Sequence, residues 1–99
     1  MRPLHWATLD KRRPVLLLTR EIIVGRMSTV TVAPITSTVL GIASEVLVGT
    51  RNGLDQASAI TCDQITSIPF QQLHDRCGWL FEAQEPALHE AIQAAFDLV

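Results

Sequence analysis

Apolar and polar residues alternate over short distances along most of the chain, and this pattern predicts a protein built mainly from β-strands. Leu4, Trp6 and Thr8 fall at every second position, which predicts a short first strand. Residues 15–18 are apolar without a break, which predicts a second strand over residues 14–19 that is buried on both faces. Segments rich in β-branched or apolar residues predict further strands or extended chain: residues 29–36, 44–48, 58–62, 65–68 and 78–82.

Proline and glycine mark the connections between these strands. Pro34 lies inside the third strand, and because proline has no amide hydrogen it predicts an edge position or a bulge there. Residues 51–53, Arg-Asn-Gly, predict a tight turn. Residues 8–12 form a tight connection between the first two strands, and residues 69–75 predict a single helical turn.

The end of the chain has the pattern of a helix. Pro86 suits the first turn of a helix. Four apolar residues follow at the spacing of one helical face: Leu88, Ile92, Ala95 and Phe96. Short strands followed by one helix that packs on them indicate a mainly β, barrel-like fold with a C-terminal helix, formed by a single domain over residues 1–99.

Composition points to a partner subunit. A chain of 99 residues buries only about 60–65% of its unfolded surface, so its stability is marginal. Apolar residues make up 47% of the sequence and charged residues only 18%, so we expect a homodimer that covers apolar surface. The sequence has neither a secretory signal nor an apolar run that could span a membrane, and we expect a cytoplasmic protein.

Charge is distributed unevenly along the chain. Residues 1–26 carry a net charge of +4, whereas residues 27–99 carry −6. A basic segment in an acidic protein indicates a polyanionic partner, although six cations are also compatible with an ordinary solvated surface.

The basic residues are concentrated at Lys11, Arg12 and Arg13, directly before Pro14. Pro14 disfavours the helical backbone conformation for Arg13 and so holds it in extended conformation at the start of a buried strand. A guanidinium fixed there can clamp a phosphate through its planar fork of donors. The alternative is a solvated strand end whose cations protect a sheet edge.

The remaining reactive residues do not form a metal site. Cys62 and Cys77 are fifteen residues apart, and the three histidines are scattered, whereas a zinc site needs about four clustered ligands. We therefore predict buried free thiols and neither a metal nor a cofactor. His5 alternates with Trp6, and we interpret it as a solvent-facing bystander.

Four segments in this order resemble the motif series of the MazF/PemK (Kid) family, the toxins of bacterial toxin–antitoxin modules. They are the Arg-Pro-Val-Leu-Leu-Leu-Thr stretch at 13–19, Val-Ala-Pro-Ile-Thr-Ser at 32–37, Gly-Leu at 53–54 and Cys-Asp-Gln-Ile-Thr-Ser-Ile at 62–68. The C-terminal helix also resembles that of the family. The order, spacing and chain length make the likeness specific, although each motif alone is weak.

The resemblance implies an SH3-like β-barrel of the type shared with the CcdB toxins, a homodimer, and inhibition by a cognate MazE-like antitoxin. It also implies a metal-independent endoribonuclease that cleaves single-stranded RNA (mRNA, tRNA or rRNA) and leaves a 2′,3′-cyclic phosphate. Arg13 and Thr36 occupy the positions of the family's catalytic residues, so the resemblance implies that both are catalytic. Asp63 matches an Asp that takes part in catalysis in PemK-like members. We predict that the substrate is contacted by Lys11, Arg12, Ser37, Asp63 and Gln64.

Two departures from the family pattern affect the catalytic assignment. Residues 8–12 replace a longer loop that usually carries an acidic or histidine partner, so we expect that partner to be missing, and Thr61 stands where related members carry an arginine. Asp63 is then either a base or a turn cap, and Thr36 taken alone is also compatible with ordinary strand packing. The alternative function is a non-enzymatic, CcdB-like toxin that poisons a protein target such as DNA gyrase.

Overall fold

In the computed structural model, which describes residues 1–98, seven strands form a curled antiparallel sheet with a helix packed against it. The strands are β1 (Arg2–Thr8), β2 (Arg12–Leu17), β3 (Thr29–Thr36), β4 (Glu45–Val48), β5 (Ser58–Thr61), β6 (Thr66–Pro69) and β7 (Leu73–Leu80), and the helix is α1 (Glu85–Ala95). The sheet order is β4-β5-β3-β2-β1-β7, and β6 pairs with the start of β3. This architecture confirms the predicted fold class. In the part of the chain that is described, no helix is both long enough and apolar enough to cross a bilayer.

Strand β2 is buried on both faces, as its apolar run predicted. Val15 and Leu17 belong to one core cluster, together with Val30 and Val32 of β3. Leu16 points to the opposite face, into the core cluster that the helix covers. The strand is therefore fixed by packing from two sides, and the residues that precede it are held in place.

The predicted edge position or bulge at Pro34 is wrong, because β3 is a central strand. On one side β3 pairs with β2, and on the other it pairs first with β6 over Thr29–Val32 and then with β5 from Ile35. Pro34 lies where the second side changes partner, and its carbonyl accepts a hydrogen bond from Thr61 Oγ1 at 2.7 Å. In an antiparallel strand, the N–H and C=O groups of one residue point to the same side of the strand. The amide hydrogen that Pro34 lacks would therefore point to the side where β3 changes partner, so its absence interrupts no ladder of hydrogen bonds.

The segment before the helix also differs from the prediction. The helical turn predicted at residues 69–75 is only a 3₁₀ turn at Phe70–Gln72, and the strand predicted at 78–82 is β7, which begins already at Leu73. Strand β7 lies at the edge of the sheet, and its first half exposes polar side chains, so the apolar pattern of a buried strand is absent there.

The C-terminal helix buries Leu88 and Ala91 against the sheet, and Pro86 lies in its first turn as predicted. The prediction that Phe96 belongs to the apolar stripe is wrong. The helix ends at Ala95, and Phe96 is 51% exposed.

Candidate active site

The connection between β1 and β2 is only three residues long, and it places an acidic and a basic residue directly before the start of β2. Register pairs Thr8 with Arg12 and Ala7 with Arg13, so the tight connection consists of residues 9–11. Strand β2 begins at Arg12, two residues earlier than predicted. Arg13 is therefore part of the sheet backbone, and packing along β2 fixes its position.

The Arg13 guanidinium is partly covered and is held by a neighbouring carboxylate. The side chain is 23% exposed, and its Nη2 donates to Asp10 Oδ2 at 3.0 Å. The buried Nε has no hydrogen-bond partner within residues 1–98. Desolvation raises the pKa of Asp10, but the charge and the hydrogen bond of Arg13 outweigh it, and the net pKa of Asp10 lies below its ordinary value. Asp10 is thus ionised and holds the guanidinium in one orientation.

Sheet register brings Thr36 next to Arg13. Strands β2 and β3 pair with Val15 opposite Pro34, and extending this antiparallel register by two residues places Arg13 opposite Thr36. The Thr36 side chain is half-buried, and its Oγ1 accepts a hydrogen bond from the Thr38 amide at 3.1 Å. Because that bond uses the oxygen as an acceptor, the hydroxyl hydrogen of Thr36 remains able to donate.

Arg13 and Thr36 line one pocket of about 220 Å³ at this end of the sheet. One wall carries Lys11 and Arg12, whose guanidinium lies 5.1 Å from the centre of the Trp6 ring. Ser37 continues the wall beyond Thr36. Across β3 from Arg13, the segment that leads into β5 also lines the pocket, and we call it the 54–58 wall; it consists of Leu54, Asp55, Gln56 and Ser58. The pocket therefore combines a cationic side with an acidic and amide side.

The sequence of the chain matches a known family profile over residues 6–96, described as PemK-like, MazF-like toxin of type II toxin–antitoxin systems. The chain belongs to this family. The predicted resemblance to the MazF/PemK toxins is thereby confirmed.

Relatives within the MazF family support the assignment over nearly the whole chain. Endoribonuclease MazF3 of Mycobacterium tuberculosis is 55% identical over 98 residues, covering 99% of this chain and 95% of that protein. The solved structure of the M. tuberculosis toxin MazF-mt6 matches with a TM-score of 0.95 and 54% identity, covering 99% of both chains. A mycobacterial endoribonuclease solved with its cognate antitoxin matches with a TM-score of 0.84 at 19% identity, covering 98% of this chain and 93% of that one, which shows the shared fold.

The other substrate-contacting residues implied by the MazF family are divided between two places. Lys11, Arg12 and Ser37 line the same pocket as Arg13. Gln64 lines an adjoining pocket of about 260 Å³, which also borders Arg13 and Thr36. Asp63 is exposed on the 3₁₀ turn Cys62–Gln64 and lines neither of these pockets. The structure thus groups all of the predicted residues around Arg13 except Asp63.

Asp10 is the residue that sequence analysis missed. The shortened connection was expected to lack an acidic partner for Arg13, and the structure corrects this by placing Asp10 in a 3.0 Å ion pair with it. The signal was present in the sequence, because a carboxylate and an arginine three residues apart across a tight turn lie within reach of each other. Only the actual turn geometry shows that the pair forms.

A second carboxylate shapes the loop that follows Thr36. Glu45, at the start of β4, accepts hydrogen bonds from the backbone amides of Leu40, Gly41 and Ile42 at 2.8 to 3.3 Å. Charge-assisted bonds to several amides hold a loop in one conformation. Since Glu45 also lines the adjoining pocket, this loop forms a fixed border beside Arg13.

The cysteines and His5 lie outside this arrangement. Cys62 and Cys77 are free thiols; Cys62 is buried as predicted, whereas Cys77 is only half-buried. Burial together with the charge of Asp63 raises the pKa of Cys62 to about 11. His5 Nδ1 is 2.8 Å from the backbone oxygen of His74 and does not line the pocket. Within residues 1–98, no three His, Cys, Asp or Glu side chains are grouped closely enough to hold a metal ion.

Proposed function

We propose that this chain is an endoribonuclease toxin that cleaves single-stranded RNA in the pocket around Arg13. The partly exposed guanidinium of Arg13, which lines one pocket together with Thr36, is the observation that carries the proposal. The identity of 55% to a protein named as an endoribonuclease supports it. In this reaction the 2′-hydroxyl attacks the adjacent phosphorus, the bond from phosphorus to the 5′-oxygen breaks, and a 2′,3′-cyclic phosphate remains.

Arg13 supplies the charge stabilisation that this reaction needs. Negative charge accumulates on the non-bridging oxygens of the phosphorane, and a preorganised donor in a partly dry site stabilises it strongly. A guanidinium offers parallel donors to two oxygens. Because the pKa of arginine is above about 12, Arg13 is a poor proton donor, and we assign the protonation of the leaving 5′-oxygen to water.

Asp10 is our candidate for the general base that takes the proton of the 2′-hydroxyl. Its carboxylate is 71% exposed, so RNA can reach it, and it lies 3.0 Å from the group that binds the phosphate. In the free protein the charge of Arg13 lowers the pKa of Asp10. A phosphate that takes over the donors of Arg13 removes part of this effect, so Asp10 becomes a stronger base when substrate is bound.

Thr36 and the surrounding polar residues position the RNA. The Thr36 hydroxyl donates to a phosphate oxygen or orients the 2′-hydroxyl, and Ser37 extends this contact. Lys11 and Arg12 are exposed, so they attract the RNA backbone from solution rather than act on the reacting bond. Gln64 contacts the RNA from the adjoining pocket. Asp63 remains only a prediction from the family, since its side chain lines neither pocket although Gln64 on the same turn does.

The cellular partners follow from the same proposal. We infer that the chain acts in the cytoplasm, where its RNA substrates lie, and that a cognate MazE-like antitoxin rich in Asp and Glu covers the basic residues around Lys11. A neighbour of the same fold was solved with its antitoxin. The antitoxin blocks cleavage simply by occupying the cationic side of the pocket.

Incubation of the purified protein with a mixed RNA pool in excess EDTA tests the proposal. We expect cleavage to continue, because the proposed mechanism uses side chains and water but no metal ion, and end mapping should find 2′,3′-cyclic phosphates next to 5′-hydroxyls. Loss of cleavage in EDTA that Mg²⁺ or Zn²⁺ restores would contradict the metal-independent mechanism. Absence of cleavage under all conditions would favour the CcdB-like alternative.

Homodimerisation is a separate prediction. Large apolar side chains are exposed on the single chain, among them Ile22 (78%), Leu40 (68%) and Leu47 (66%). A second copy that covers such side chains stabilises a small domain through apolar burial. Sedimentation equilibrium at micromolar concentration should therefore give about twice the mass of the chain, and a single monomer mass would contradict the prediction.

A further inference from the structure

The 54–58 wall of the pocket carries hydrogen-bonding side chains that are not needed to bind phosphate. Asp55 carries a carboxylate, which accepts hydrogen bonds and repels phosphate. Within residues 1–98, Asp55 has no ion pair or side-chain hydrogen bond, although three cations line the same pocket. The charges in the pocket are therefore separated, with the cations on the side of Arg13 and a free acceptor on the 54–58 wall.

The backbone of this wall is fixed on both flanks. Before it, Asn52 is buried and its side chain bonds the Gly49 amide, the Trp79 carbonyl and Gln84 Oε1 at 2.8 to 3.0 Å. At its other end, the Ser58 hydroxyl donates to the Gln56 carbonyl at 3.0 Å, and Ser58 begins β5, where it pairs with Val48 of β4. A short segment held at both ends presents its side chains in a defined direction, which discrimination between ligands requires.

The size of the pocket matches a single nucleobase. Its volume of about 220 Å³ is below the range of about 300–1,000 Å³ that accommodates drug-sized ligands. The pocket is lined in part by the ring of Trp6, which also carries the stacked guanidinium of Arg12, and a base can stack on such a planar group. Asp55 and Gln56 are both exposed on the 54–58 wall, so their polar groups are accessible to the hydrogen-bonding edge of a base in this pocket.

We propose that Asp55 and Gln56 read the edge of one RNA base beside the cleaved phosphate and select a base with an exocyclic amino group. The carboxylate of Asp55 accepts from the amino group, and the amide of Gln56 donates to a neighbouring acceptor of the same base. Uracil presents a carbonyl oxygen in place of the amino group, and two acceptors repel each other. This inference rests on the proposed ribonuclease activity and adds the determinant of its sequence preference.

Cleavage of a random-sequence RNA pool followed by sequencing of the new ends tests this proposal. For wild type we expect one position beside the cut to favour amino-bearing bases over uracil by roughly 5- to 150-fold, the range for a good side-chain-to-base pair. Asp55→Asn introduces an amide donor that pairs with the uracil carbonyl, so the preference at that position should shift towards uracil. Asp55→Ala should reduce the preference without reversing it.

Asp75→Asn is the matched control, because it makes the same change at an exposed site on β7 that does not line the pocket. It should keep the wild-type preference. If Asp55→Asn cleaves with the wild-type preference, or loses cleavage equally on all sequences, the proposal is overturned while the ribonuclease activity stands. If the wild-type protein does not cleave the pool, the proposed function fails and this inference fails with it.

Discussion

Replacement of Arg13 by alanine should lower the rate of RNA cleavage by about 10²–10³-fold or more, which is the cost of removing one preorganised donor to a transition-state charge. The fold should remain intact. The only ion-pair partner of Arg13 within residues 1–98 is Asp10, whose carboxylate is 71% exposed and stays hydrated when Arg13 is removed. Single-turnover cleavage at saturating enzyme measures the effect, and circular dichroism checks the fold.

Two further substitutions separate the role of Arg13 from that of Asp10. Arg13→Lys should restore little activity, because an ammonium cannot make two parallel bonds to a phosphate. Asp10→Asn keeps the size of the side chain but removes the base, so cleavage should fall while RNA binding is retained. Arg13→Ala that cleaves at a near-normal rate would overturn the assignment of the active site.

Arg12→Ala is the control for general electrostatics. Arg12 is exposed and stacks on Trp6 at 5.1 Å, so we assign it to the RNA backbone. Its removal should weaken RNA binding without ending turnover, and the slope of log affinity against log salt should decrease by roughly 0.7 for one lost contact to single-stranded RNA. If Arg12→Ala and Arg13→Ala have equally mild effects, both arginines are only solvated residues at a strand end.

The fold could be predicted where local pattern and burial agree. The apolar run of β2 predicted a strand buried on both faces, and the β-branched residues of β3 predicted a strand, because both strands pack on two sides. The central position of β3 was not predicted, because Pro34 favours a sheet edge. The first half of β7 was mistaken for a helical turn. It is an edge strand with exposed polar residues, and its pairing with β1 is interrupted by register shifts near His5. A pattern of burial cannot indicate a strand that is scarcely buried.

The residues of the candidate site could also be predicted only in part. Arg13 and Thr36 could be proposed from the sequence because the family resemblance names them, and register then places them side by side. Asp10 and Asp55 were missed, since their significance depends on which residues the fold brings opposite them. The ion pair of Asp10 depends on a turn of three residues, and Asp55 lines the pocket only because β3 lies between β2 and the strand to which the 54–58 wall leads.

Replacement of Gly78 by alanine should destabilise the protein by about 3 kcal/mol or more, a large share of the roughly 5–15 kcal/mol that stabilises such a domain. A methyl group on Gly78 would overlap the backbone carbonyl of Asn52 and lie 2.8 Å from its carbonyl carbon. The side chain of Asn52 makes three hydrogen bonds, so this backbone cannot move away without breaking buried contacts. Tryptophan fluorescence in urea should show a midpoint lower by about 1 M or more at equal protein concentration.

Gly49→Ala provides the matched comparison for this effect. Gly49 has extended backbone (φ −172°), and a methyl group there meets only the Cα of Ala57, at 3.9 Å. Its stability should stay within about 1 kcal/mol of wild type. The same overlap in Gly78→Ala displaces the turn that precedes the 54–58 wall, so any folded fraction should also cleave RNA with weaker base preference. A urea midpoint for Gly78→Ala equal to that of Gly49→Ala would show that residues 49–53 adapt, and the rigidity that we assign to this wall would be wrong.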